Sequence, residues 1–118
     1  MFRLRFLFAP GSGIALWAGN ASARERFGNS IDAADLCLSE STWRYVHYLC
    51  AWYDTSVDWT FPPNPSPWAP EEAARFQAAV AGFLPVLQAE LGPSFVVVDE
   101  FSPGPRVSLS STRETPRQ

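Results

Sequence analysis

Residues 51–72, AWYDTSVDWTFPPNPSPWAPEE, are the chemically most distinctive stretch of the chain. They contain three of the five tryptophans and five of the eleven prolines. Each proline fixes its own φ and restricts the residue before it, so residues 61–68 are predicted to form a stiff loop. Such a loop can hold its tryptophans either as pegs in the core or as exposed anchors for a partner.

Strands are predicted at the two ends of the globular part. Alternating apolar residues at Phe2, Leu4 and Phe6 have the period-two pattern of a strand with one buried face. The Pro-Gly-Ser-Gly turn at 10–13 and the apolar run after it predict a β-hairpin. Residues 95–101 include three successive valines, which predict burial on both faces and hence the central strand of the sheet.

Three helices are predicted between these strands. Asn20 is a suitable N-cap for a helix over residues 21–27, and Ser39 or Ser41 for one that ends near residue 53. The third helix begins at Pro70 and runs to residue 91. The predicted class is therefore α+β: a small antiparallel sheet, formed by the N-terminal hairpin and the C-terminal strand, packed against three helices in the order β-β-α-α-α-β.

The length and charge of the chain limit the classes of protein it can be. With 118 residues it is predicted to be one globular domain, residues 1–101, followed by a flexible C-terminal tail, residues 102–118, that has few large apolar groups. A net charge of −3 argues against a nucleic-acid partner, which calls for a basic face. No apolar run approaches the ~20 residues of a membrane span, so no membrane partner is expected.

The N-terminus and the cysteines bear on the compartment. Residues 1–23 imitate a signal peptide with an Ala-x-Ala site, but the turn at 10–13 interrupts the apolar run. We therefore expect a cytoplasmic protein, with secretion as the alternative if residues 1–23 act as a signal peptide. Cys37 and Cys50 match no metal-binding spacing and are interpreted as two buried thiols, although the sequence leaves a disulfide open.

The middle helix is unusually rich in aromatic residues. Around its core positions it carries further aromatic side chains, and Arg44 is its only charge between residue 41 and Asp54. A helix that is apolar most of the way round is either central to a core or covered by a partner. We therefore predict a protein contact, with a second copy of the chain or with another protein, through Trp43, His47 and Tyr48.

The loop after this helix supplies the remaining candidate binding residues, which are Asp54, Thr55, Ser56, Asp58, Trp59 and Trp68. Asp54 would lie at a helix C-terminus, where the helix dipole disfavours a negative charge, so a compensating group is expected. Asp, Thr and Ser also commonly bond nearby backbone amides to hold a turn. No catalytic set, metal site or cofactor is predicted, since the single His47 lies about two helical turns from Asp54.

The chain resembles a group of small uncharacterised bacterial proteins over residues 14–100. The resemblance rests on a stretch of the form WYDTSxDW…PPxPSPW, here residues 52–68, and on Leu16-Trp17, Asn20, Ala23-Arg24 and Phe27-Gly28. It implies a shared fold but brings no assigned activity, cofactor or catalytic residue.

These features favour a small protein-binding module, immunity-like or inhibitor-like, that uses the acidic, Trp- and Pro-rich loop and the aromatic helix face. Acidic groups would steer a basic partner and the tryptophans would supply contact area. One alternative is a metal-dependent or hydrolytic enzyme that uses Asp54, Ser56 and Asp58. Another is a structural subunit of a larger assembly.

Overall fold

The computed structural model describes residues 1–102 of the chain. The α+β class and the order β-β-α-α-α-β are confirmed. The predicted C-terminal tail lies outside the described residues from residue 103 onward. The elements, in chain order, are β1 (Phe2–Phe6), β2 (Leu16–Ala18), α1 (Ala21–Phe27), β3 (Ser30–Ile31), a 3-10 helix (Ala33–Asp35), α2 (Glu40–Asp54), α3 (Pro70–Leu91) and β4 (Phe95–Asp99).

The helices begin and end where local chemistry predicts. The Asn20 side chain accepts a hydrogen bond from the Ala23 amide, and the Ser39 hydroxyl accepts one from the Thr42 amide. Gly28 closes α1 with a φ of 88°, a conformation that favours glycine. The added strand β3 has only two residues, too few to show a period-two pattern, so the sequence did not reveal it.

The sheet is mixed rather than antiparallel. Its strand order is β3-β2-β1-β4, in which β2 runs antiparallel to both β1 and β3, while β4 runs parallel to β1. Parallel neighbours need a long crossover connection, and here α2 and α3 provide it. The chain leaves α3 beside the start of β1, where the Phe2 amide donates to the Ser94 carbonyl.

The prediction that the valine-rich strand is central was wrong, because β4 lies at one edge of the described sheet and β1 is inside it. Val96, Val97 and Val98 are each half-buried rather than buried. In register, Val96 lies beside Arg3 and Val98 beside Arg5. Long arginine stems can cover apolar neighbours while their charges stay in water, so a valine run does not require a strand on each side.

The free edge of β4 is protected by one side chain of α3. The Gln88 amide donates to the Phe95 carbonyl at 2.7 Å and accepts from the Val97 amide at 2.9 Å. These are the two kinds of bond that another strand would make there. Gln88 therefore satisfies two backbone groups of an edge of the kind that can pair with another strand.

The core lies between one face of the sheet and the helices. Leu4 and Phe6 of β1 are fully buried in one core with a stripe of α3 that comprises Phe76, Val80, Phe83, Leu87 and Leu91. On α2, Val46, Leu49 and Cys50 are buried, and Tyr53 is half-buried. None of the helices within residues 1–102 is long and apolar enough to cross a membrane.

The signal-like N-terminal segment forms part of the sheet. Residues 1–23, the signal-like segment, contain β1 and β2, so their removal would delete two strands and the buried Leu4 and Phe6. Both thiols are free. The prediction of two buried thiols holds for Cys50 and was wrong for Cys37, which is exposed.

Candidate functional site

The end of α2 is tied to the turn between β1 and β2. Asp54 Oδ1 accepts a hydrogen bond from the Gly11 amide at 3.0 Å, which offsets the unfavourable charge at a helix C-terminus. The indole N–H of Trp59 donates to the Asp54 carbonyl at 2.9 Å. Gly11 has a φ of 82°, and a Cβ there would lie 3.3 Å from the Trp59 ring. Trp59 and Gly11 therefore fix the position of Asp54 together.

The loop 55–69 is held by its own polar side chains. Thr55 Oγ1 donates to the Trp52 carbonyl and accepts from the indole N–H of Trp68, each at 2.6 Å, so it joins the two ends of the loop. Asp58 accepts from the Thr60 amide and from the Asn64 side chain, each at 3.0 Å. The bond from Asn64, followed by that from Thr60, lowers the pKa of Asp58. Asp58 and Thr55 are thus engaged in shaping the loop.

The two tryptophans of the loop have different surroundings. Trp68 is half-buried and its ring lies 5.2 Å from that of Phe76 in the core. Trp59 is 55% exposed, although its N–H group is bonded. Phe61 is also largely exposed. Trp68 therefore packs against the core, whereas the ring of Trp59 is largely in solvent.

The aromatic face of α2 is covered to a greater extent than the sequence indicated. Tyr45 packs on Phe83 and Trp52 packs on Phe76, with ring centroids 5.0 and 4.9 Å apart, so α3 covers that side. Of the residues predicted to make a protein contact, Trp43 and His47 are half-buried. Tyr48 alone of the three is exposed, at 56%.

His47 is paired with a residue that the sequence analysis did not single out. Its Nε2 lies 2.8 Å from Asp32 Oδ1. Asp32 is also the N-cap of the 3-10 helix, where its carboxylate accepts from the Ala34 amide. That amide, followed by His47, lowers the pKa of Asp32. The only sequence signal for Asp32 was its suitability as a cap before Ala33. Its proximity to His47 could not be predicted, because the two residues are 15 positions apart in the chain.

His47 and Asp54 line a common cavity of about 350 Å³ between α2, the turn 12–14 and Asp32. We call this cavity the acidic groove; its lining residues are Ser12, Gly13, Ile14, Asp32, His47, Cys50, Ala51 and Asp54. Thr55, Ser56, Asp58 and Trp68 do not line it, although they are close to Asp54 in sequence. Trp59 is bonded to the backbone of Asp54 and so lies beside the groove.

The pKa of the buried Cys50 thiol is affected by the charges of both carboxylates in the groove. Burial, followed by the negative charges of Asp54 and Asp32, raises the pKa of this thiol to about 12. Both carboxylates therefore act on one point, on the wall of the groove. A thiol with so high a pKa is not a nucleophile near neutral pH, even with His47 beside it.

Among residues 1–102, the carboxylates do not form a recognisable metal centre. Within residues 1–102, no group of three or more His, Cys, Asp or Glu side chains is arranged to hold a metal ion. Asp54 and Asp58 have different structural partners, Gly11 for the first and Thr60 with Asn64 for the second. The arrangement predicted for an enzyme, with Asp54, Ser56 and Asp58 in one cleft, does not occur in the acidic groove.

The fold and this surface define a small α+β protein with an acidic groove and an anchored, exposed tryptophan beside it. A family model described as Serratia CdiI immunity protein-like matches residues 11–100, which is more than half of the chain. The chain belongs to this family, and the membership agrees with the immunity-type protein-binding class expected from the sequence. No curated protein matches the chain.

Proposed function

We propose that this protein is an immunity protein that binds a toxic protein and masks it. The family membership supports this function, because an immunity protein acts by engaging a protein partner. The surface we assign to that partner comprises the acidic groove and Trp59. The observation that carries the assignment is Trp59, a large ring held in place by a hydrogen bond but 55% exposed.

A rigid exposed aromatic ring suits a binding hot spot. Most of the binding energy of a protein interface comes from a few residues, and tryptophan and tyrosine are prominent among them. Fixing such a ring before binding reduces the entropy lost on association. Trp59 is fixed by Asp54 and by contact over Gly11, and its loop contains four prolines between residues 61 and 68.

We place this function in the cytoplasm, in a chain that associates with a different protein rather than with itself. The sequence-based alternative of a homodimer through Trp43, His47 and Tyr48 is less favoured, because α2 packs Trp43 against His47 and pairs His47 with Asp32. Only Tyr48 of that set offers a largely free ring. Light scattering during gel filtration distinguishes a monomer from a homodimer.

A growth assay tests the function. Each toxin domain encoded by the source organism is induced in a bacterial host, with and without this chain. We expect the chain to restore growth against one toxin and to form a complex of defined mass with it. If the chain restores growth against none of these toxins, the result contradicts the proposal.

A matched pair of variants assigns the surface. Trp59→Ala removes the exposed ring, and Val86→Ala removes an exposed apolar side chain of α3, 49% exposed and outside the proposed surface. We expect Trp59→Ala to weaken the complex by about 2 kcal/mol or more, as at an interface hot spot, and Val86→Ala to leave it unchanged.

A further inference from the structure

The two carboxylates of the acidic groove have unused hydrogen-bonding capacity. Asp32 uses Oδ1 for the Ala34 amide and for His47, and Asp54 uses Oδ1 for the Gly11 amide. Within residues 1–102, the Oδ2 atoms of both carboxylates have no hydrogen-bond partner. Each aspartate is therefore held in place by one oxygen and presents the other.

The arginines of the described chain lie elsewhere. Four of them, Arg3, Arg5, Arg24 and Arg26, belong to β1 and α1. Arg44 pairs with Glu40 and Arg75 pairs with Glu72, each along its own helix. Among residues 1–102, no arginine lines the acidic groove and His47 is the only basic side chain that does. The groove consequently has a negative charge that residues 1–102 do not neutralise with an arginine.

Trp59 provides an exposed aromatic ring beside the groove. The N–H group of Trp59 is bonded to Asp54, so the edge of the ring is occupied while more than half of the side chain remains in solvent. A guanidinium group stacks on indole rings and binds carboxylates through two parallel hydrogen bonds. Arginine is the side chain that uses both of these features together.

We infer that the acidic groove receives an arginine side chain from a basic surface segment of the partner, with the guanidinium between Asp32 and Asp54 and beside Trp59. This inference rests on the proposed function and names the chemistry of the partner's contact. The volume of about 350 Å³ accommodates a single long side chain rather than a folded element of the partner. The charge complementarity also directs the approach of the partner, which makes association dependent on salt.

The test uses a peptide probe because it isolates the groove from the rest of the interface. The probe is acetylated and amidated Gly-Arg-Gly-Arg-Gly, and its matched control replaces each arginine with citrulline, which has a similar shape but no charge. Two-dimensional NMR of the whole chain follows the Gly11 amide, the Trp59 indole N–H and the amides around Asp32. We expect the arginine peptide to shift these signals saturably, and the citrulline peptide to leave them unchanged.

Two double variants test which carboxylates are responsible for binding the arginine peptide. Asp32→Asn with Asp54→Asn keeps an oxygen acceptor at each position and so preserves the bonds to Ala34 and Gly11. Glu25→Gln with Glu71→Gln removes the same charge from exposed positions outside the groove. We expect the first pair to weaken peptide binding at least fivefold, and the second pair to change it by less than twofold. Dispersed spectra verify that both double variants are folded.

Three results would overturn the inference: no shifts near Gly11 and Trp59 up to the solubility limit of the peptide, equal binding of the citrulline peptide, or equal loss in both double variants. The growth assay on the same variants separates this inference from the function. A chain that rescues growth but binds no arginine peptide loses the groove assignment and keeps its function. A chain that binds the peptide but rescues no cell keeps the groove and loses the function.

Discussion

The two flanks of α2 show how one aromatic-rich helix is divided between stability and recognition. The flank toward α3 carries Tyr45 and Trp52, whose rings pack on Phe83 and Phe76. The opposite flank carries His47 and Asp54, which line the acidic groove. The rings of Tyr45 and Trp52 are covered by α3, whereas His47 and Asp54 face the groove and remain partly in solvent. An excess of aromatic residues in a helix therefore need not indicate an exposed aromatic surface.

The covered flank is where a substitution has the largest expected effect on stability. Phe76 is fully buried, and five rings lie within 6 Å of it by centroid distance: Phe8, Trp52, Tyr53, Trp68 and Phe101. We expect Phe76→Ala to lower the free energy of unfolding by about 3–5 kcal/mol, because the cavity removes contacts on several sides. Urea denaturation measures the change, and a loss below about 1 kcal/mol would mean that these rings do not form one unit.

The two loop tryptophans are expected to differ in how much they stabilise the fold. We expect Trp68→Ala to lower the free energy of unfolding by about 3 kcal/mol, because its ring packs on Phe76 and its N–H group bonds Thr55. Trp59→Ala should cost about 1 kcal/mol, since its ring is mostly in water and one hydrogen bond is lost. Urea denaturation of both variants gives the order, and equal losses would place Trp59 in the core.

Acid should weaken the fold through carboxylates on both flanks. Hydrogen bonds lower the pKa of Glu72, first from Trp52 and then from Arg75, and that of Glu90, first from Thr42 and then from Ser39. The Ala34 amide, followed by His47, does the same for Asp32. Since the folded pKa values are depressed, their stabilisation is complete above the unfolded values of about 4 and is lost as the pH falls through the folded values.

The measurement is the free energy of unfolding between pH 7 and pH 3. We expect a modest decrease that begins below pH ~4.5, because these groups are exposed and their interactions are screened. Glu90→Gln should reduce the slope in this range, whereas Glu71→Gln, at an exposed position on α3, should leave it unchanged. If Glu90→Gln leaves the slope unchanged, Glu90 does not contribute to the loss of stability in acid.

Labelling of the thiols has the smallest expected effect on the protein, and it measures directly whether each thiol is buried. Cys37 is exposed, while Cys50 is 5% exposed and has a pKa raised to about 12. We expect a maleimide at neutral pH to label Cys37 rapidly and Cys50 only after unfolding, because the thiolate is the reactive species. Mass spectrometry counts the labels, and two labels on the folded chain would show that the groove wall opens to solvent.

Local chemistry allowed much of the fold to be predicted. The α1 and α3 bounds follow from Asn20, Gly28, Pro70 and Gly92, which act within a turn of the helix end. The buried stripe of α3 follows from helical periodicity. The direction and edge position of β4 did not follow, because they depend on where the crossover through α3 returns the chain.

The candidate site was predicted only in part, for the same reason. The sequence pointed to Asp54, Trp59 and His47, since a charge at a helix end and a tryptophan among prolines are unusual in any context. It gave no reason to add Asp32 and Ser12, which line the groove from other elements, or Gly11, whose amide bonds Asp54. It also grouped Ser56 and Asp58 with Asp54 by proximity along the chain, whereas of the three only Asp54 lines the groove.

The sequence by itself therefore determined the helices, the core stripes and the presence of a stiff, acidic, aromatic loop, because these depend on neighbours a few residues apart. Only the tertiary structure decided which rings are covered, which strand lies at the edge and which carboxylates share a cavity. Those outcomes depend on contacts between residues far apart in sequence, such as Asp54 with Gly11 and Trp68 with Phe76. The packing of the whole chain sets such contacts, and no local pattern encodes them.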